Sequence, residues 1–234
     1  MSIPVGFTVE PCTPESALLV DEAEHALIGL SPWNAYYKPR TVEALVDWAC
    51  EHFKKVDFVI PGYEAVHTLT AAGYGVADAV HRTRRAVKQL RNPVRRALLR
   101  RGADDPEHRV HTWTTLTARP AYAAARRRAE TAYREDAAVR RACRETASGA
   151  VRHAGGGTEP TEAQIDRAVG YAIAELPLVV EGPEVFGVTS SVCVYHRRMD
   201  LLEPFIQGET AAFRPSTGQG YAVVRRIENP GSAS

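Results

Sequence analysis

The chain has 234 residues, 44% apolar and 24% charged, the composition of a globular protein with one substantial core. It holds no apolar run of the ~18 residues that crossing a bilayer takes, and its opening MSIPVGFTVEPC has neither the basic stretch nor the apolar core of a secretory signal. The net charge of +1 hides an imbalance: residues 82–101 carry nine of the 29 basic residues and no Asp or Glu, so a +9 segment rides on a −8 body, a pattern suited to a polyanionic partner.

In chain order, residues 25–30 (HALIGL) form a short apolar run before the turn-like Ser-Pro-Trp-Asn and read as a buried strand. Residues 41–55 place Val42, Leu45, Val46, Ala49 and Phe53 at helical spacing, with Thr41 as N-cap just after Pro39. VDFVIP at 56–61 is a second buried strand closed by Pro61-Gly62. Strand, helix and strand at this spacing imply a right-handed βαβ unit and a parallel sheet. A helical hairpin follows at 64–101, where Asn92-Pro93 predicts a kink or a restart with Asn92 as cap. RVHTW at 109–113 reads as a third strand and 121–146 as one long helix. After the Gly155-Gly156-Gly157 loop, Thr161 and Gln164 form a capping box opening a helix striped with Ile165, Ala168, Val169, Ala172 and Leu176, which Pro177 ends. Strands are expected at 188–196 and 220–227, and NPGSAS at the end reads as a frayed tail. The fold class is α/β: one domain, a mostly parallel sheet with helices on both faces.

Four constellations bear on chemistry. Ser31 stands at the carboxyl end of the first strand, where ligands gather in open parallel sheets, yet it equally fits an N-cap with Pro32 at N1. Tyr171 and Glu175 are one helical turn apart beside an apolar stripe, placing a carboxylate where it could hold an ammonium group or merely flank a packing tyrosine. Tyr195-His196 closes a buried strand: the phenol could move a proton, and the imidazole could orient it or act as base. Arg84, Lys88, Arg91 and Arg95 recur at spacings of four, three and four, a cationic helix face flanked by Arg85 and Arg96. The lack of interspersed acids favours nucleic-acid binding over a solvated face. Phosphate-cradling glycine loops and paired Cys/His ligand sets are absent, and the four cysteines lie too far apart in sequence for a metal pair, as in a reduced cytoplasmic protein.

The stretches HALIGLSPWNAYY at 25–37, YAIAELPL at 171–178, SSVCVYHRR at 190–198 and GQGYAVVR at 218–225 together resemble the cyclodipeptide synthase family, and the basic segment falls between the first two. The resemblance spans about residues 24–226. It implies one Rossmann-like catalytic domain over residues 1–228 with a disordered tail at 229–234. That domain would be similar to the catalytic domain of class Ic aminoacyl-tRNA synthetases without their ATP signatures. It also implies two aminoacyl-tRNA substrates, no cofactor, no metal and no membrane; monomer is the default state. Ser31 matches the family's nucleophile, Tyr171 and Glu175 its α-amino clamp, and Tyr195 its proton-transfer residue. Asn34 and His196 match supporting positions that define the Asn-Tyr-His subfamily. Arg84, Arg85, Lys88, Arg91, Arg95 and Arg96 would face tRNA, although Pro93 departs from the family's unbroken helix. By position, Leu27, Gly29, Val59, Trp113, Leu178 and Cys193 would wall an apolar pocket for the first side chain. Two rivals remain at this point: a non-catalytic tRNA-binding protein on a synthetase-like fold, and a serine acyltransferase or hydrolase with a small-molecule donor.

Overall fold

The computed structural model describes residues 6–210 and 213–227; the expected tail at 229–234 lies outside them. The elements run β1 (Phe7–Pro11), α1 (Pro14–Glu22), β2 (His25–Gly29), α2 (Pro39–His52), β3 (Lys55–Val59), α3 (Glu64–Ala71), α4 (Val76–Arg100) and β4 (Val110–His111). They continue as α5 (Trp113–Leu116), α6 (Pro120–Glu135), α7 (Ala137–Ala154), α8 (Glu162–Val180), α9 (Gly182–Phe186), β5 (Ser191–Tyr195), α10 (Glu203–Ile206) and β6 (Gln219–Arg226).

The six strands form one sheet in the order β1-β6-β5-β2-β3-β4, parallel except for β1 on β6. Alternation along the strands divides the core. Ala26, Ile28, Val56, Phe58, Val192 and Val194 pack under α2 and α4. Leu27 and Val59 face a cluster with Trp113, Tyr122 and Leu178, while Cys193 and Tyr221 pack with α7 and α8. The chain leaves β2 toward β3 and β4, then returns to place β5 on the other side of β2. That reversal makes the carboxyl ends of β2 and β5 a topological switch point, the usual ligand position in such sheets. Among the described residues no helix is long and apolar enough to cross a membrane.

Several local expectations are corrected. Helix α2 starts at Pro39, with Lys38 as N-cap, and Thr41 is buried instead of capping. The strand expected at 109–113 keeps only two residues, because Thr112 caps α5 in a box with Thr115. The helix expected over 121–146 is two, because the Asp136 side chain accepts hydrogen bonds from Ala138 and Val139 N–H (2.8 and 3.2 Å) and starts α7. Pro177 does not end α8, which continues to Val180; residues 176–180 are all buried, and their packing outweighs the one helical bond that proline lacks. Pro93 likewise sits inside an unbroken α4, buried beside Val94 and Ala97. The antiparallel β1 and the helix α1, capped by Thr13 with Pro14 at N1, are additions that the expectations had omitted.

Candidate active site

Pairing of Ile28 with Val194 sets the register that brings the chain leaving β2 beside Tyr195 at the end of β5. Close approach is possible because residue 29 is glycine: a Cβ there would lie 3.1 Å from the Tyr195 ring. Ser31 caps no helix. Its hydroxyl hydrogen-bonds the Tyr195 phenol, which burial pushes up to about 12, so the phenol stays protonated at neutral pH.

A chain of hydrogen bonds holds this loop. The Tyr36 N–H donates to Asn34 Oδ1 (2.9 Å), and Asn34 Nδ2 donates to His196 Nε2 (3.0 Å). The one proton of Tyr37 Oη goes to the Gly29 carbonyl (2.8 Å), so His196 Nδ1–H must donate into that oxygen (3.0 Å). His196 is therefore neutral with both ring nitrogens engaged, in keeping with burial and nearby Arg197, which lower its pKa to about 4. It touches Tyr195 only through ring contact at 4.3 Å between centroids. Its geometry is that of a support, not of a base. Tyr36 stacks on the same imidazole at 4.9 Å. The roles of Tyr36 and Tyr37 were missed by sequence reasoning, although both stand in the SPWNAYY stretch.

Helix α8 supplies Tyr171 and Glu175. Burial raises the Glu175 carboxyl to about 7, and its charge adds to the burial that pushes the Tyr171, Tyr195 and Cys193 groups upward. Tyr171 packs beside Trp113, 6.0 Å between ring centroids, against the cluster that contains Leu27, Val59 and Leu178. Four of the expected wall residues thus share one cluster. Gly29 lies against Tyr195, and Cys193 belongs to the adjoining cluster under α8. Two buried polar atoms here, Glu64 Oε2 and Trp113 Nε1, have no hydrogen-bond partner among the described residues, and the Glu64 charge reaches Tyr171. Nothing in the sequence marked Glu64.

A second polar constellation is sealed away. Asp57 accepts from His111 Nε2 (2.7 Å) and His25 Nε2 (3.1 Å), and His25 Nδ1 accepts from the Ser191 hydroxyl (2.8 Å). Burial alone would raise the Asp57 carboxyl, but the histidine hydrogen bonds outweigh it and hold the group well below the usual carboxylate range. His25 and Ser191 open their strands, at the opposite end from Ser31, and both are 1% exposed. Among the described residues no group of three or more candidate ligands could hold a metal.

The basic segment divides in two. On α4, Arg91 and Arg95 pair with Glu107 and Arg96 and Arg100 with Glu43, and Arg101 at the helix C-cap pairs with Asp47 and Glu51. The acids missing from the segment are thus supplied by α2 and by the turn before β4. Arg84, Arg85 and Lys88 face no carboxylate within ion-pair distance among the described residues; Arg84 Nε donates to the Tyr63 hydroxyl at 3.2 Å.

A profile of the family described as cyclodipeptide synthase matches residues 7–226. A cyclo(L-leucyl-L-phenylalanyl) synthase of Streptomyces noursei is 33% identical over 95% of this chain and 93% of its own. A cyclo(L-leucyl-L-leucyl) synthase of Bacillus subtilis is 30% identical over 95% and 91%. Among solved structures, a cyclodipeptide synthase from Bacillus thermoamylovorans superposes with a TM-score of 0.86 at 25% identity, covering 95% of this chain and 97% of that one. A Mycobacterium tuberculosis protein, reported as demonstrating that cyclodipeptide synthetases are related to type I tRNA synthetases, superposes with a TM-score of 0.81 at 25% identity over 97% and 96%.

Proposed function

The chain belongs to the cyclodipeptide synthase family, and we propose that it is an aminoacyltransferase that joins two aminoacyl groups delivered on tRNA into a 2,5-diketopiperazine. The observation that carries the reading is the Ser31–Tyr195 hydrogen bond at the carboxyl ends of β2 and β5, with the Glu175 charge reaching Tyr195.

In the first half-reaction Ser31 Oγ attacks the ester carbonyl. The acyl–oxygen bond to the terminal ribose breaks, and the serine proton passes through the Tyr195 phenol toward the departing ribose oxygen. The aminoacyl-enzyme keeps its α-ammonium against the Glu175 carboxylate and Tyr171, and its side chain enters the apolar cluster of Leu27, Val59, Trp113 and Leu178. The second aminoacyl-tRNA then supplies an amine that attacks the seryl ester, and its own ester carries the resulting dipeptide to Ser31 by transacylation. Attack of the first residue's amine on that ester closes the ring and frees Ser31, which is ping-pong chemistry. Residues 1–228 act as one cytoplasmic, monomeric catalytic domain of the Asn-Tyr-His subfamily, in which Asn34 and His196 fix the loop. Arg84, Arg85, Lys88, Arg91, Arg95 and Arg96 follow the tRNA phosphates.

The test is to incubate the protein with a mixture of charged tRNAs and read the small-molecule fraction by mass spectrometry. Diketopiperazine masses are expected for the native chain and absent for Ser31→Ala. Unchanged product in that variant removes Ser31 as nucleophile.

A further inference from the structure

Six large apolar side chains stand out as exposed among the described residues, and only Trp33 and Tyr63 of these are aromatic. Both follow the carboxyl ends of the adjacent parallel strands β2 and β3, the edge that holds Ser31. Tyr63 is committed to Arg84, whose guanidinium lies 5.9 Å from its ring centroid. Trp33 has no aromatic or cationic partner on its indole among the described residues, and it adopts φ +59°, a conformation that a bulky side chain rarely takes. The loop enforces this: Asn34 is pinned to Tyr36 and His196, and the Trp33 carbonyl faces His153 Nε2 at 3.5 Å. A costly backbone conformation thus presents an indole to solvent two residues after Ser31, with Cα atoms at most ~7.6 Å apart.

We propose that Trp33 is the stacking platform for the 3′-terminal adenine of aminoacyl-tRNA, an inference that rests on the reading of Ser31 above. Only the terminal ribose lies between the acyl carbon that Ser31 attacks and that adenine. A base held on Trp33 therefore fixes the ester over the hydroxyl, while Arg84, Arg85 and Lys88 hold phosphates further back. Stacking of this kind suits a site that must accept different amino acids on the same nucleoside, because it reads the base and ignores the side chain.

Trp48 and Trp113 are 7% and 1% exposed, so a change in tryptophan fluorescence on binding reports chiefly on Trp33. The full chain is titrated with uncharged tRNA and with the same tRNA lacking its terminal adenosine. Intact tRNA is expected to quench the emission, and truncated tRNA to bind without quenching. Trp33→Gly, which suits the positive φ and so should fold, is expected to abolish the quench. It should also lower kcat/KM for aminoacyl-tRNA by roughly 5- to 150-fold, with most of the loss restored in Trp33→Phe. Equal quenching by truncated tRNA, native kinetics in Trp33→Gly, or a quench that follows protein concentration without tRNA (a second copy on the indole) each overturns the proposal. Adenosine-dependent quenching in a protein that makes no diketopiperazine sustains the stack and overturns the reaction instead, so the two failures are separable.

Discussion

Glu175→Gln should make the free protein more stable while removing its activity, with a pH dependence that follows from one number. Burial raises the carboxyl from 4.5 to about 7. At ~1.4 kcal/mol per pH unit, keeping this carboxylate ionised in the folded chain costs at most about 3.5 kcal/mol, and nearer ~3 kcal/mol because Glu175 is not fully buried. Between pH 4.5 and about 7 the folded state holds the proton that the unfolded state has released, so the native chain loses stability as pH rises through this window. Above about 7 both states are ionised and the loss is complete. Urea unfolding of both proteins from pH 4 to pH 8 isolates the effect, because the opposite trend from Asp57, whose carboxyl is depressed, cancels in the difference. The variant's advantage is expected to grow from about zero near pH 4 to ~3 kcal/mol at pH 8. A difference independent of pH, or an advantage that shrinks as pH rises, would show that Glu175 is not held above its ordinary value and would remove the electrostatic reason for the ammonium clamp proposed for it.

Two further outcomes follow. Replacing Arg84, Arg85 and Lys88 together by Ala should reduce the salt slope of tRNA binding by about 3, whereas the same change at Arg91, Arg95 and Arg96, which pair with Glu107 and Glu43, should reduce it less; filter binding from low to moderate salt distinguishes these, and equal reductions would show that the ion pairs open on binding. Asp57→Ala removes the acceptor of two buried histidines and should cost roughly 3–5 kcal/mol in urea unfolding at pH 7; a loss below about 1 kcal/mol would mean that water replaces the carboxylate.

Strands β2 and β3 were legible because the apolar runs HALIGL and VDFVIP are short, continuous and punctuated by Ser-Pro and Pro-Gly. Helix ends were legible where a side chain makes the cap, as at Thr161 with Gln164, and misread where packing decides, as at Pro177 and Pro93. Asp136 shows the reverse error: one side chain splits a helix that composition makes continuous. The free and the neutralised parts of the basic segment could not be separated in sequence, since Glu43 and Arg96 are far apart in the chain and meet only when α2 packs on α4. Glu64 and the Asp57 network were invisible for the same reason. Each depends on which face of a strand or loop a residue occupies relative to a distant one.

The placement of the two serines bears on mechanism. Ser191 has what a hydrolytic serine needs, a histidine at 2.8 Å that is itself held by an aspartate at 3.1 Å, but it is buried at the wrong end of the strands. There the arrangement satisfies polar groups inside the sheet and can reach no substrate. Ser31 stands at the carboxyl ends of the strands, and its side-chain partner among the described residues is a phenol whose pKa is about 12. An imidazole base matters most when the acyl donor is an amide and the departing amine must be protonated. An ester of a ribose hydroxyl is already activated, and its leaving oxygen can take the serine proton through a neutral relay. In the proposed scheme His196 needs no part in proton transfer, and its two hydrogen bonds tie it to Asn34 and Tyr37 in the loop that carries Ser31. In the proposed scheme, strong activation of Ser31 would also expose the aminoacyl-enzyme to attack by water, since a base able to deprotonate serine can deprotonate water in the same place. The absence of a strong base beside Ser31 therefore fits the proposed attack by the amine of a second aminoacyl-tRNA, which needs no base once it has lost its own proton.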